Sequence, residues 1–302
     1  MGKFQFQRVD SDFLSKGTKC GGWLYLPDQV TKPPVVIMAN GFACEKAFKL
    51  PELAEKFVER GMAVYLFDFR TIGSSDGKPR NLVNIRGQLQ DWKAAIAHVR
   101  SLTQVNGSKI ALWGYSYSGG EVIATAAGEK NIKAIVVQAP YTDFISSFLM
   151  LGVRRTIWPF LFGLRDIVCM MAGRDTYYIP VVGDPGTIAV LTTPESKPGY
   201  LSLVPEGSTW KNETPARGVL TPLLFVPPIL SAKDVKCPAL VILAESDSLI
   251  HPWALEKTAR RIKKSTLLRV QTGHFGICQG EIFQTVATAQ ADFLEKQLVE
   301  SV

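Results

Sequence analysis

Lys109-Ile-Ala-Leu-Trp-Gly-Tyr-Ser-Tyr-Ser-Gly-Gly-Glu121 is the stretch from which the rest of the chain can be read. Ile110 to Trp113 is a short apolar run that suits a buried strand. Gly114 stops it, Ser116 falls in a tight turn, and Gly119-Gly120 open a small-residue, helix-like segment from Val122 to Ala127. Strand, Gly-x-Ser, small residues and helix form the context that holds a serine hydroxyl on a strained turn. The neighbours of such a serine must be small, and the helix behind it points N–H groups at any negative charge that forms there. The pattern G-x-S-x-G is met with one departure, Ser118 at the fifth position, and serine is still small. A second register, Ser116-x-Ser118-x-Gly120, would make Ser118 the nucleophile. Ser116 is preferred because it lies two residues past the strand end.

Outward from this turn the chain alternates. Residues 4–26 read as two strands and Asp28 to Pro34 as a turn-rich link. Val35-Val-Ile-Met-Ala is a continuous apolar run ending in Asn40-Gly41-Phe42-Ala43. Pro51 opens a helix whose Leu53, Ala54, Phe57 and Val58 form one stripe, closed by Gly61. Met62 to Phe67 is another buried run, leading into Asp68-Phe-Arg-Thr-Ile-Gly-Ser-Ser-Asp-Gly. Ile85, Leu89, Trp92, Ile96 and Val99 share a helix face, with His98 off that stripe and expected in solvent. Ala134 to Val137, Pro238 to Ala244 and Leu267 to Val270 complete the buried runs, helices fill the intervals, and a last helix presents Ile282, Val286, Ala289 and Phe293 on one face. This order predicts an α/β fold: a mostly parallel central sheet with helices on both faces. In such sheets the active crevice lies at the carboxyl ends of the strands.

The alternation stops at Tyr141. Phe144, Phe148, Met150, Leu151, Trp158 and Phe162 belong to a very apolar helical stretch interrupted by Arg154 and Arg155. A Pro/Gly-rich loop, Tyr178-Ile-Pro-Val-Val-Gly-Asp-Pro-Gly, follows. So much irregular chain inside a domain suggests a lid or binding loop. We expect a core of residues 1–140 and 229–302 and an inserted cap of residues 141–228. The apolar residues spread around a helix, so part of the set is expected to line an acyl pocket, with Phe148, Leu151 and Trp158 as wall residues.

Composition narrows the chemistry. The 302 residues are 46% hydrophobic, which supports a large core and excludes disorder. The N-terminal stretch has no apolar signal core, position 6 is Phe where a myristoylation motif needs Ser or Thr, and no apolar run is long enough to span a bilayer. Five scattered cysteines without C-x-x-C spacing indicate reduced thiols and a cytoplasmic location. Three histidines without metal-ligand spacing argue against zinc, and no metal or cofactor is expected. The net charge is +7. Its main cluster, Lys257, Arg260, Arg261, Lys263 and Lys264, lies opposite Leu255, Ala259 and Ile262 on one helix. That reads as a solvated face and not as a surface for nucleic acid.

A serine hydroxyl needs a base within hydrogen-bond reach, and the base needs a carboxylate to fix its tautomer. His274 follows a strand in a Gly-bracketed loop, and Asp247 follows another strand end. His251 competes as base but suits a pocket rim better, and Glu245 is the second choice as acid. The order Ser116, Asp247, His274 fits a catalytic triad. The oxyanion needs two amides, assigned to Phe42 and Tyr117.

With Asn40-Gly-Phe, Asp68-Phe-Arg-Thr-Ile-Gly-Ser-Ser-Asp-Gly, Gly114-Tyr-Ser-Tyr-Ser-Gly-Gly, Glu245-Ser-Asp and Gly273-His-Phe, nearly the whole chain resembles the α/β-hydrolase superfamily. The double-serine turn, Tyr178 to Gly186 and Leu191-Thr-Thr-Pro resemble the polyketide transferase and thiohydrolase-like members. Two departures are Asn40, where many such enzymes have His, and Glu121, where that subgroup has His. The resemblance implies hydrolysis of an ester or thioester of a hydrophobic acyl group, with an acyl carrier protein as one donor. It implies as alternatives transfer of the acyl group to an alcohol or amine in a natural-product pathway, or a non-catalytic ligand-binding homologue.

Overall fold

A computed structural model describes residues 4–300. Met1 and Gly2, on which the N-terminal processing motifs turn, lie outside them.

The central sheet has eight strands: β1 (Phe6–Asp10), β2 (Gly22–Pro27), β3 (Val35–Ala39), β4 (Ala63–Phe67), β5 (Ile110–Tyr115), β6 (Ile132–Gln138), β7 (Ala239–Ala244) and β8 (Ser265–Val270). Their spatial order is β1-β2-β4-β3-β5-β6-β7-β8. The pairs from β4 to β8 are parallel, whereas β2 is antiparallel to both β1 and β4. The mostly parallel sheet is thus as the alternation predicts. Every residue of β3, β4, β5 and β7 is buried. A strand covered on both faces can only be an unbroken apolar run, which is why these four were legible. The N-terminal region holds more than the two expected strands, since a short ribbon of Phe13–Ser15 and Thr18–Cys20 intervenes between β1 and β2.

The helices in chain order are α1 (Leu50–Val58), α2 (Ile85–Ser101), α3 (Tyr117–Gly128), α4 (Phe144–Leu151), α5 (Val153–Met171), α6 (Ser196–Leu201), α7 (Pro228–Ser231), α8 (Pro252–Arg261) and α9 (Gly280–Leu298). In α9 the buried face is Phe283, Val286, Ala287, Gln290, Ala291, Leu294 and Leu298, rotated from the expected stripe. Ile282 and Phe293 pack only partly. Leu255 and Ala259 of α8 and Ile262 just after it are buried; of the basic cluster, Arg260 meets Glu256, Lys257 lies over the Trp253 ring and Arg261 donates to the Ile229 carbonyl. His98 is not free in solvent. Its Nε2 is 2.9 Å from Ser11 Oγ and its ring stacks on Phe13, and burial lowers its pKa from the usual histidine value.

Between β6 and β7 the chain adds no strand to the central sheet. The apolar stretch is two helices, not one. Gly152, at φ +75°, separates α4 from α5, a conformation that favours glycine. A two-stranded ribbon, Tyr178–Ile179 with Thr214–Pro215, and a 3-10 segment, Ala216–Leu224, pack beside α5. No helix among the described residues is long and apolar enough to cross a membrane.

The loop after β4 is held by a buried ion pair. Lys46 Nζ lies 2.6 Å from Asp68 Oδ2 and 4.4 Å from the centre of the Trp23 ring. Asp68 also accepts from the amides of Lys46 and Ser74. Removing one partner strands a buried charge. Asp68→Ala should cost about 3–5 kcal/mol of stability, measured by urea unfolding. A loss under about 1 kcal/mol, the range of an exposed pair, would contradict this account.

Candidate active site

The carboxyl ends of β3, β5, β7 and β8 lie on one edge of the sheet, and the loops leaving them converge there. Ser116 sits between β5 and α3 with φ 55° and ψ −117°. Such a backbone state in a non-glycine residue costs about 1–3 kcal/mol and persists only when its surroundings impose it. Here Ser116 N–H donates to the Gln138 carbonyl, and the Ser116 carbonyl accepts from Tyr141 N–H. A Cβ at Gly114 would stand 2.6 Å from the Ser118 carbonyl oxygen, and one at Gly119 would stand 2.9 Å from Pro140 Cβ. The glycines are therefore steric requirements of the turn. A Cβ at Gly41 would come within 3.2 Å of Ser116 Cβ, so the loop after β3 passes directly over the serine.

Three side chains meet at this point. His274 Nε2 is 2.9 Å from Ser116 Oγ, and His274 Nδ1 is 2.7 Å from Asp247 Oδ2. The other carboxyl oxygen of Asp247 accepts from the amides of Leu249 and Ile250 at 2.7 and 2.8 Å. His274 and Asp247 are buried, at 1% and 4% exposure. Tyr115 lies with its ring 5.1 Å from the imidazole and donates its hydroxyl to the His274 carbonyl at 3.0 Å.

The competing residues are placed elsewhere. Ser118 is fully buried, donates to the Ala39 carbonyl at 2.7 Å and accepts from Tyr115 N–H at 3.0 Å, so its hydroxyl ties β5 to β3. Glu245 faces Arg269 at 3.5 Å. His251 is the N-cap of α8, its Nδ1 accepting from Trp253 N–H. Cys44 and Cys278 are thiols that burial pushes up to about 12, so neither supplies a thiolate. No group of three or more His, Cys, Asp or Glu side chains among the described residues could hold a metal ion.

Asn40 takes over the support of the loop after β3. Its side-chain N–H groups reach the carbonyls of Glu45 and Phe48, and its Oδ1 accepts from Gly41 N–H at 2.9 Å. Tyr117 is the first residue of α3, so its amide has no acceptor within that helix. Phe42 and Tyr117 stand together, rings 5.7 Å apart and edge to face, beside Ser116.

Ser116 opens into a cavity of about 440 Å³. Its walls include Phe144, Phe148, Leu151, Ile157 and Phe160, with Leu249 and Ile250 opposite. Of the expected wall residues, Phe148 and Leu151 line it. Trp158 does not: it is 52% exposed and pairs with Phe162, which stacks on Tyr177. The break at Gly152 sets this register, turning Val153 and Ile157 toward the cavity instead. His251 is also absent from the walls, because its capping bond turns it to α8.

Sequence reading did not find the residues that lock these loops together. They come from residues 193–210. Glu195 Oε1 accepts from Ser248 N–H at 2.9 Å and from Ser248 Oγ at 2.6 Å, one residue beyond Asp247. The same carboxylate leaves no room for a Cβ at Gly273, beside His274. Tyr200 donates to the Phe42 carbonyl at 3.1 Å, and Trp210 Nε1 to the Ala43 carbonyl at 3.3 Å. One stretch thus touches the loops carrying Asp247, His274 and Phe42. The nearest signal was Leu191-Thr-Thr-Pro, just before Glu195.

Glu121, behind Ser116 on α3, is fully buried. Burial raises its pKa well above the ordinary carboxyl value, with Trp92 Nε1 donating to one oxygen at 3.2 Å.

The family model described as X-Pro dipeptidyl-peptidase (S15 family) matches residues 16–171. The quorum-quenching protein AidA of Acinetobacter baumannii (strain MDR-ZJ06) is 33% identical over 288 residues, covering 95% of this chain and 94% of that one. Polyketide transferase ATR5 of Stachybotrys chlorohalonatus (strain IBT 40285) is 27% identical over 297 residues, covering 96% and 98%. The crystal structure of the α/β hydrolase GrgF from Penicillium sp. sh18 superposes with a TM-score of 0.80 at 26% identity, over 97% of this chain and 99% of that one.

Two outcomes follow from this geometry. Glu195→Ala should lower kcat by about ten- to hundredfold, the scale of a small misplacement of reacting groups, with a smaller change in KM. Glu195→Gln keeps the acceptor for Ser248 and should recover most of it; a variant that melts earlier yet keeps its kcat would reduce Glu195 to a structural tie. For Glu121 the folded state holds its proton at pH values where the unfolded chain has released it. Stability therefore falls as pH rises through the unfolded carboxyl value. Glu121→Gln should raise the melting temperature at pH 7, and the gain should vanish toward pH 4; a gain independent of pH would exclude this cause.

Proposed function

The chain belongs to the X-Pro dipeptidyl-peptidase (S15) family of α/β-hydrolases, and from that premise we propose that it is a serine hydrolase acting on an ester or thioester of a hydrophobic acyl group. The observation that carries the proposal is the unbroken relay from Ser116 Oγ through His274 to Asp247, opening into an apolar cavity. Ser116 attacks the acyl carbonyl while His274 takes its proton. Asp247 holds the imidazole tautomer and stabilises its charged form. The Phe42 and Tyr117 amides receive the oxyanion, and the dipole of α3 assists. His274 then protonates the leaving group, and a second nucleophile returns the enzyme by the reverse path. Residues 141–228 act as a cap whose Phe148 and Leu151 select the acyl chain. A dipeptidyl-peptidase must in addition seat a protonated substrate N-terminus, and no carboxylate lines this cavity among the described residues, which favours esters over peptides.

The second nucleophile divides two readings. Hydrolysis is the default. The similarity to a protein named polyketide transferase over nearly the full length favours, as the second reading, transfer to a bound alcohol or amine, with an acyl carrier protein as a fitting thioester donor. Free thiols at every cysteine suit a cytoplasmic enzyme.

A fluorophosphonate probe should label the wild type and Ser118→Ala and should not label Ser116→Ala. His274→Ala should lose about 10³-fold or more in kcat. Across p-nitrophenyl esters, kcat/KM should rise by roughly fourfold per methylene, the equivalent of about 0.8 kcal/mol, until the cavity is full. Labelling that survives Ser116→Ala, or a preference for acetyl over every longer chain, would sink the reading.

A further inference from the structure

We propose that Arg155 forms an anion subsite in the wall of the acyl cavity, and that the natural substrate is an amphiphile, a hydrophobic acyl ester or thioester that also carries a carboxylate or phosphate. This deepens the esterase reading and rests on it. Arg155 is the one charged residue among those lining the cavity. Its Nη1 donates to the carbonyl of Leu151, another wall residue, at 3.3 Å. A guanidinium has five N–H donors, and a single long bond to a backbone oxygen leaves most of them for another acceptor. The half-buried arginines of this protein fall into two groups: Arg80 and Arg261, like Arg155, donate to backbone carbonyls, whereas others meet carboxylates. Arg217 meets Asp166 at 2.9 Å and Arg70 meets Asp91 at 2.7 Å. Among the described residues no carboxylate pairs with Arg155.

One of the Arg155 donors serves helix stability: Leu151 is the last residue of α4, and a cation on the carbonyls of a helix C-terminus is favourable. Arg154 and Arg155 stand in the first turn of α5, which has no acidic residue. A cation there opposes the helix macrodipole. Its polar neighbours in the wall are already engaged: Thr156 Oγ1 donates to the Gly152 carbonyl at 3.0 Å and Ser147 Oγ to the Asp143 carbonyl at 3.0 Å. What Arg155 lacks is a planar oxyanion, which its fork geometry matches in two parallel bonds. Against apolar walls such a pair is screened less than at the surface, so an anion on the substrate would fix both its depth and its orientation relative to Ser116.

The anion could sit on the acyl chain or on the leaving group, and two substrate pairs separate these. The first is p-nitrophenyl hexanoate against mono-p-nitrophenyl adipate, equal in chain length and differing by a terminal carboxylate. The second is hexanoyl-coenzyme A against the hexanoyl thioester of N-acetylcysteamine, which lacks the phosphates. The readout is the ratio of kcat/KM, anionic over neutral. The wild type should favour the anionic member of one pair. Arg155→Gln should lower that ratio by about ten- to hundredfold, the range of a charge-assisted hydrogen bond, and Arg155→Lys should restore part of it. Arg154→Gln, an exposed neighbour outside the cavity wall, should leave the ratio where it was. The proposal is overturned if the wild type favours neither anionic substrate, or if Arg155→Gln leaves the ratio unchanged. Activity of Ser116→Ala is scored separately: turnover surviving there defeats the serine reading whatever Arg155 does, and a dead Ser116→Ala with an unmoved ratio defeats only the anion subsite.

Discussion

The backbone of Ser116 is the constraint around which this molecule is arranged. Its φ of 55° with ψ of −117° is affordable only because flanking structure over-determines it. Gly114 and Gly119 supply the absent side chains that let β5 turn into α3. The departure at Ser118 is compatible for a reason that its size alone does not convey. Its hydroxyl replaces nothing and adds a bond to the Ala39 carbonyl, stitching the turn to the strand whose loop passes over the serine. A residue that looks like a flaw in the pattern is a fastening of the same turn.

A parallel sheet brings loops to one edge but does not fix side chains to within an ångström. That second requirement falls on the stretch from Thr193 to Trp210, which lies far from Ser116 in sequence. Glu195 bonds the loop of Asp247 and crowds the loop of His274, while Tyr200 and Trp210 hold the carbonyls of Phe42 and Ala43. Segments that cover a site are usually discussed as filters for substrate. Here one segment braces all three loops, so a displacement of it would be felt at Asp247, His274 and Phe42 together.

This division explains what was legible in the sequence. The fold was, because fully buried strands admit only apolar runs and a strained turn admits only small residues. The placements of Ser116, Asp247 and His274 at strand ends were legible for the same reason, since each follows a run that could be recognised. Trp158 was misplaced because its direction depends on a break at Gly152 that apolar periodicity does not reveal. His251 was placed on a rim as the residue immediately before a helix, and in that position its ring caps α8 instead. His98 lies off the apolar stripe of α2, yet Ser11 and Phe13 arrive from another element and cover it. Glu195 carried no signal of its own: an acidic residue in an irregular segment looks like solvent-facing chain until its partners are known.

Two buried carboxyl groups, Asp247 and Glu121, differ in how their oxygens are met. Asp247 is approached by two backbone amides on one oxygen and by the His274 ring on the other. A buried carboxyl loses less on leaving water when each of its oxygens keeps a hydrogen-bond partner, and here both do. Glu121 is buried as deeply and has one indole N–H, with its other oxygen left without a partner. Desolvation then governs, and the neutral acid is the form the fold accommodates. A negative charge at Glu121, on the helix that follows the turn, would offset the positive field at the amide end of that helix. Keeping Glu121 protonated leaves the amide end of α3 with its favourable field intact, so the same burial that costs the fold an unsatisfied oxygen protects the electrostatics of the turn.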